Sequence, residues 1–497
     1  MKILKFTRNK PRTNAALLLS FVLFFGMGLT GQERFRRVPP SPGSLPELTL
    51  PDFENHTLAN DLAMTVVRRP NTSLVSLRLI IAAGESVSPD NLPGLATFTA
   101  KMLEKGTQSL SPIELEEQIA ATGGSISTFV YPEHTVLSMT FLQEYLDEAM
   151  EILGQIILEP AFSQREITST KTELFYDMFG RRNESQFIAK RLLLRTLFKD
   201  SPYEKYTFNE DVIKNISKND IVTFFDQFYR PNNSRLVIVG DISLQSASRT
   251  VSRHLNTWKP SDVKYFAADM PRPSKRPKIC LIDQPQVNEV TLFVGNIISP
   301  YSPEEFFPYH VFNMVFGGTL NSRIFMNLRE SKGYAYGAFS QVEFYRQFGL
   351  FVVESVVRPE YLNISIRETL REINRIMVNR IPSDEIEPAK SYIIGNFSLQ
   401  LEEIDTFASK VAEIVMYDLG EAHWTEYVKN IALVDSTQVF DLMKNQAFMT
   451  PVIVIIADVE LEQDPELDPD PILTKLTDEF GEVEIYNYKG ILQYTMK

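Results

Sequence analysis

The chain has 497 residues, 44% of them hydrophobic, and a formal net charge of −13 at pH 7. That length and apolar content exclude wholesale disorder and suffice for two or more domains with their own cores. The acidic balance speaks against nucleic acid as a partner, since phosphate binding rests on clustered Lys and Arg.

Residues 1–31 read as an export signal. Lys2, Lys5, Arg8, Lys10 and Arg12 form a basic start with no acid, and an apolar run follows over 15–29 with Gly26, Gly28 and Gly31 near its end. The run is short for a spanning helix, which needs about 20 residues, so cleavage is the first reading and a retained membrane tether the alternative. The only cysteine is Cys280. No intrachain disulfide can form and no lipid-modified cysteine can follow the leader. An exported chain without disulfides fits a bacterial periplasm better than a eukaryotic secretory route.

Residues 32–46 form a basic, proline-rich linker. A first domain is expected over 47–258. Its strands, rich in β-branched residues, fall at 62–68, 74–83, 124–131, 135–141 and 234–239. Its helices fall at 95–105, 112–122, 142–157, 163–179, 187–198 and 218–228. The proline-rich stretch 259–276 is the expected connector. A second domain over 277–460 repeats the first: VSLRLIIAAGE near residue 80 is echoed by EVTLFVGNIIS near 294, and SRLVIVGDIS near 239 by PVIVIIADVE near 456. Two anchors at nearly the same offset support one duplication. Residues 461–497 hold an acidic connector, with calcium binding as the weaker alternative, and a tail that adds one helix and a last strand.

The stretch GLATFTAKMLEKGT, residues 94–107, predicts a helix that places Thr97, Ala100 and Lys101 on one face, at i, i+3 and i+4. Leu95, Phe98 and Met102 lie on the opposite, core-facing side. The frame resembles the zinc helix of the pitrilysin/insulinase metallopeptidases, whose inverted motif is His-x-x-Glu-His. Gly94, Leu95, Ala96, Phe98, Met102, Leu103, Lys105, Gly106 and Thr107 match that frame. Thr97 and Lys101 stand where the histidines would be and Ala100 where the glutamate would be. The zinc chemistry needs two neutral imidazoles on one metal and a carboxylate to activate its water. Threonine is a poor ligand, a lysine ammonium has no lone pair, and alanine moves no proton. The family's third ligand, a glutamate on a later helix, maps to Asp177, with Glu173 as the alternative. The acid that normally precedes it by seven is Thr170.

The second half keeps its motif. FGGTLNSRIFMNLRESKGYAYG, residues 316–337, is similar to the family's C-terminal element, in which an arginine and a tyrosine help to hold substrate. Those positions match Arg329 and Tyr336. Gly333 is expected to end the helix that carries Arg329. A guanidinium there can clamp substrate carbonyls, and a phenol can donate to a developing oxyanion.

The resemblance, which covers about residues 46–460, implies an α+β fold of two homologous LuxS/MPP-like metallohydrolase domains. Each would be a mainly antiparallel sheet with helices packed on one face. It also implies a division of labour. In two-subunit members one chain carries zinc and the other supplies the arginine–tyrosine element, and this sequence is similar to the second kind. The cofactor would then sit in a homologous zinc-bearing partner, and the pair would close around unfolded peptide. Two alternatives stay open: an envelope scaffold with no substrate role, and an autonomous peptidase with an unorthodox metal site.

Other signals carry less. His423, Glu426 and Tyr427 mimic a zinc helix until the last residue, in a segment that reads as an amphipathic surface helix or loop. His134 follows Glu133 near a strand start, at what resembles a structural position of the family. Cys280 lies in an apolar β-type run and should be buried and inert. No Gly-x-Ser-x-Gly elbow supports a serine hydrolase.

Overall fold

The structure is a computed structural model that describes residues 50–208, 210–264, 276–444, 448, 450–460 and 472–497. The expected leader 1–31 and linker 32–46, most of the connector 259–276 and the acidic stretch 461–471 lie outside these described residues.

Two sheets organise the unit Glu47–Lys497. The first contains β1 (Phe53–Thr57), β2 (Ala63–Arg68), β3 (Leu74–Ile81), β4 (Ser125–Val130), β5 (Thr135–Leu142) and β6 (Ser234–Gly240), in the order β1-β2-β6-β3-β5-β4. The second contains β7 (Lys278–Asp283), β8 (Val290–Ile298), β9 (Ala335–Phe344), β10 (Gly349–Val357), β11 (Val452–Ala457), β12 (Val483–Tyr486) and β13 (Leu492–Met496), in the order β13-β12-β7-β11-β8-β10-β9. Five strands correspond one to one. β2 runs parallel to β6 as β7 does to β11. β3 is antiparallel to β6 and β5 as β8 is to β11 and β10. The edge strands β4 and β9 complete the match. The two sequence echoes are β3 with β8 and β6 with β11, so the duplication read from them is the architecture.

The ends of the sheets differ. β1 adds antiparallel to β2, whereas β12 adds parallel to β7 and β13 then pairs antiparallel with β12. The tail thus contributes one helix, Ile472–Phe480, and two strands rather than one. The second sheet reaches Met496, well past the expected boundary at residue 460.

Each sheet packs its own helices on one face. On the first, Val75, Leu77, Leu79 and Ile81 of β3 meet Phe98, Met102, Leu153 and Phe224 from the domain's helices. The opposite face is covered by the other half of the chain. Helix Ile404–Tyr417, from the second half, lies on β3 and β6, where Ile80, Val237 and Val239 join the core that contains Phe407 and Val411. Reciprocally, helix Ser185–Leu197 from the first half lies on β8 and β11, where Ile188, Leu192 and Leu193 pack with Cys280, Phe293 and Val454. Strands buried on both faces read as unbroken apolar runs, which is why periodicity alone did not show the exchange.

The exchange is fastened by a polar cluster. Arg78 on β3 is buried. Its guanidinium donates to Ser76 Oγ (2.7 Å), Leu77 O (3.0 Å), Asp405 Oδ1 (3.1 Å) and Asp405 O (3.0 Å). Asp405, in the first turn of the crossing helix, also accepts from the hydroxyls of Ser76 and Thr140, each at 2.6 Å. Burial raises the Asp405 carboxyl, but the hydrogen bonds from Ser76, Thr140 and Arg78 outweigh it and hold the group below the usual range. A second link lies at the β4–β5 turn. Glu133 accepts from Tyr203 Oη (2.8 Å) and from the Arg346 amide of the β9–β10 turn (2.9 Å). The neighbouring His134 is buried and stacked on Tyr131 at 4.6 Å. Burial, with Arg346 nearby, lowers its pKa to about 3.

Arg78→Met should therefore cost about 2 kcal/mol in urea unfolding, because it strands a partly exposed carboxylate at the seam; an unchanged midpoint would refute the clamp. The histidine sets a pH window. Its folded pKa lies below the unfolded value of 6.5, so the unfolded chain binds the extra proton between pH 6.5 and about 3. Stability should fall through that window by something on the order of 4 kcal/mol. In His134→Gln, unfolding midpoints measured against pH should show a visibly shallower slope.

Candidate functional site

The degenerate motif lies on helix Leu95–Leu103, packed between the sheet and helices Gln164–Gly180 and Lys218–Phe228. Gly94 precedes it with φ +92°, a left-handed conformation that favours glycine and leaves no side chain to cap the helix. The cap comes from elsewhere. Glu85, fully buried, accepts from Gly94 N (2.9 Å), Thr97 N (2.6 Å) and Ser88 Oγ (2.9 Å), and Ser88 Oγ accepts from Ala96 N (3.1 Å). Two of the helix's orphan amides thus end on one carboxyl. Burial pushes that carboxyl above its usual range, with the Thr97, Ser88 and Gly94 hydrogen bonds pulling it back. Glu85 had no place in the sequence reading. Its only signal was an acid four residues past the end of β3 and nine residues ahead of Gly94.

Thr97 and Lys101 are half-buried and Ala100 is completely buried. The amphipathic expectation for this helix holds only in part, because neighbouring helices cover the motif face as well. Asp177 is exposed, Glu173 is tied to Lys105 by an ion pair of 2.9 Å, and Thr170 is buried with a hydroxyl that has no hydrogen-bond partner. Ala100 has no donor atom and Lys101 offers an ammonium, so these residues do not fit a zinc ion. Among the described residues, no group of three or more His, Cys, Asp or Glu is arranged to hold a metal.

The second-half pair sits on irregular backbone. Arg329 lies in a π-helical turn, Met326–Ser331, that follows the short helix Arg323–Phe325. Gly333 ends it as expected, with φ +64° and its amide on Arg329 O (3.0 Å). The turn is moored from behind. Asn327 donates to Glu372 (2.7 Å) and Lys332 pairs with Glu368 (2.5 Å), both on helix Leu362–Val378. Arg329 itself points outward, with its guanidinium 5.1 Å from the Phe325 ring centroid and 3.7 Å from Glu330. Tyr336 is the unpaired residue of a β-bulge. Gly337 faces Val356 and Ala335 faces Val357, leaving nothing opposite Tyr336. The bulge turns its ring outward on the edge strand β9, where it is 55% exposed. Leu320, Met326 and Phe339 are also exposed in this region.

Nothing bonds this pair to residues 97–101. Neither group lines the cavity of about 1100 Å³ whose walls include Ser86, Lys205 and Arg346, at the junction of the halves. The segment around His423 differs from its surface reading. It forms short helices, Ala422–Thr425 and Tyr427–Leu433, in which Trp424 and Tyr427 are buried. Cys280 is buried, and burial pushes its thiol up to about 12.

The comparisons with known proteins agree with this geometry. Residues 63–211 match the profile described as Insulinase (Peptidase family M16), and residues 215–393 match the one described as Peptidase M16 inactive domain. The chain belongs to the M16 peptidase family. It is similar to an uncharacterized zinc protease of Rickettsia bellii, 22% identical over 355 residues that span 71% of this chain and 85% of the relative. It is also similar to the Non-peptidase homolog YmxG of Helicobacter pylori, 21% identical over 363 residues, or 71% of this chain and 82% of that one. Among solved structures, a peptidase M16 inactive domain from Pseudomonas fluorescens superposes with a TM-score of 0.76 at 18% identity, covering 83% of this chain and 100% of its own.

The capping role of Glu85 makes a contrast testable by urea denaturation. Glu85→Ala leaves both amides unpaired and should cost about 3 kcal/mol, whereas Glu85→Gln keeps an acceptor for only one of them, because Gly94 N and Thr97 N bond to different oxygens, and should cost about 2 kcal/mol. Equal costs would show that neither amide depends on the carboxyl.

Proposed function

We propose that this chain is the non-catalytic subunit of an exported, heteromeric M16 zinc peptidase, lending Arg329 and Tyr336 to a homologous partner that carries the zinc. The observation that carries this reading is the contrast between the two motifs. The positions at 97, 100 and 101 hold no ligand set and one of them is sealed in the core. Arg329 and Tyr336 are exposed, on a π-turn and a bulge, and buried acids anchor the turn that carries Arg329. Local departures of this kind recur at functional sites. The unfolded peptide would lie against the outer edge of β9 beside the bulge, where an extended chain can add to the strand; farther along that edge the Ser340 amide is taken by Gly317 O (3.0 Å) and Phe344 O by the Tyr417 hydroxyl (3.2 Å). The guanidinium would bind its carbonyls and the phenol would donate to the oxyanion formed at the partner's metal. The leader pattern supports a periplasmic location, tethered if the leader is kept. The non-peptidase designation of one relative supports the lack of activity in the isolated chain. A scaffold with no substrate role is the second reading; the exposed apolar surface near the pair serves it equally well.

The test is kinetic. In a complex reconstituted with a zinc-bearing homologue, Arg329→Ala and Tyr336→Phe should each lower kcat/KM by about a hundredfold while leaving assembly and Tm unchanged. Unchanged kinetics would favour the scaffold. One zinc per isolated chain, together with peptide cleavage by it, would overturn both.

A further inference from the structure

A second cavity, of about 210 Å³, lies within the second half, away from Arg329 and Tyr336. Its walls come from helices Pro303–Phe316, Ser383–Gln400 and Ile404–Tyr417 and from the short segment that carries His423 and Trp424. Phe306, Phe397 and Tyr427 give it aromatic sides. Tyr427 stacks on Phe397 at 4.0 Å, and the Phe306 ring stands 4.8 Å from His423 and 5.9 Å from His310.

The polar groups in this wall share one character. The Tyr427 hydroxyl lies 3.1 Å from His310 Nδ1, and the Tyr301 hydroxyl 3.0 Å from His423 Nδ1. Burial keeps both phenols protonated far above neutral pH. A phenol is the stronger donor of the two and an imidazole nitrogen the stronger acceptor, so the favoured arrangement has each hydroxyl donating to Nδ1 and the ring proton on Nε2. Burial, first of all, lowers both imidazoles to about 4, so neither is charged at pH 7. Neither Nε2–H has an acceptor among the described residues. Both rings nevertheless keep accessible surface, and both line the cavity. The indole N–H of Trp424, only 5% exposed as a residue, also lacks a partner. Lys410, paired with Glu413 at 3.3 Å, brings a cation to the same wall.

Three N–H donors and one ammonium line the cavity, against the Glu413 carboxylate already paired with Lys410 and the amides of Asn396 and Gln400, which can turn either a donor or an acceptor inward; the excess of donors calls for a ligand rich in acceptors. The aromatic sides call for an apolar body. From this convergence we infer that the cavity binds a small organic carboxylate, its oxygens on His310 and His423 Nε2–H and its charge facing Lys410. The size agrees. An apolar cavity of about 150 Å³ takes up benzene, so this one admits a benzoate-sized molecule. The site is independent of the peptidase reading, since it shares no residue with Arg329, Tyr336 or the degenerate helix.

The chain provides its own reporter. It has two tryptophans, and Trp258 is held in the first half by a hydrogen bond to Tyr229 O (3.0 Å). Titrating the full chain carrying Trp258→Phe with sodium benzoate at pH 7 should give a saturable change in Trp424 fluorescence, with a Kd of about 1 mM or tighter. Benzamide, isosteric and neutral, should bind at least about tenfold more weakly, and Lys410→Met should weaken benzoate by about the same factor. Ligand-observed NMR on the unmodified chain gives the same comparison without any substitution. Equal binding of benzamide and benzoate would overturn the carboxylate assignment. No saturable signal from benzoate by either method would overturn the site.

Discussion

Arg78 and Asp405 are more than three hundred residues apart in sequence, and the arrangement of the two halves hangs on their contact. A guanidinium buried on the face of a β-strand is costly unless its donors are met. Here they are met by a carboxylate, two carbonyls and a hydroxyl, most of them supplied or oriented by the helix that crosses from the other half. Non-directional apolar packing would allow that helix to slide along the sheet. The polar cluster has one register, so it selects one seating among many of similar hydrophobic energy. The exchange of helix Ser185–Leu197 for helix Ile404–Tyr417 makes each half incomplete alone, since either sheet would expose an apolar face without the other.

The helix Leu95–Leu103 is held by packing that does not involve its motif face alone. Its position is set by Phe98, Met102 and Leu103 in the core and by Glu85 at its N-terminus, none of which touches a metal. Those contacts do not depend on what stands at positions 97, 100 and 101, so Thr97, Ala100 and Lys101 can occupy the proposed motif face without disturbing them. Ala100 is also small enough to be sealed completely. A glutamate there would put a carboxylate into that packing within one helical turn of Thr97, whose amide already binds the buried Glu85 carboxyl, and two such groups would raise each other's cost of ionisation.

Much of this was legible because the signals were local. The β-branched runs gave the strands near their true ends, and the echoes of β3 in β8 and of β6 in β11 gave the duplication. Gly333 stopped the Arg329 helix where a left-handed residue is needed. What stayed hidden was tertiary. Helix Leu244–Leu255 is the exception: Leu244, Ala247, Val251 and Leu255 stand at helical spacing against a face of serines and arginines, a local amphipathic signal that the sequence does carry. β1 is mostly exposed and polar, so it has no apolar alternation to read. The His423 segment looks like a solvated surface because its burial comes from helices distant in sequence. The bulge at Tyr336 depends on register with β10, which no window of sequence contains.

The irregularities at Arg329 and Tyr336 are held by specific contacts. A π-turn and a bulge each forgo regular hydrogen bonding, and they persist only where the surroundings over-determine them. Glu368 and Glu372 supply that support for the turn. Burial opposes the charge of Glu368, yet Lys332, Asn327 and Arg371 hold it below the usual carboxylate range. Two nearly buried carboxylates behind one exposed arginine are a large commitment of polar groups if the turn had only to pack. They make sense if Arg329 must be presented in one orientation to something outside the chain. The same backbone leaves Arg329 and Tyr336 exposed, which is what the proposed role toward a partner's substrate requires of them.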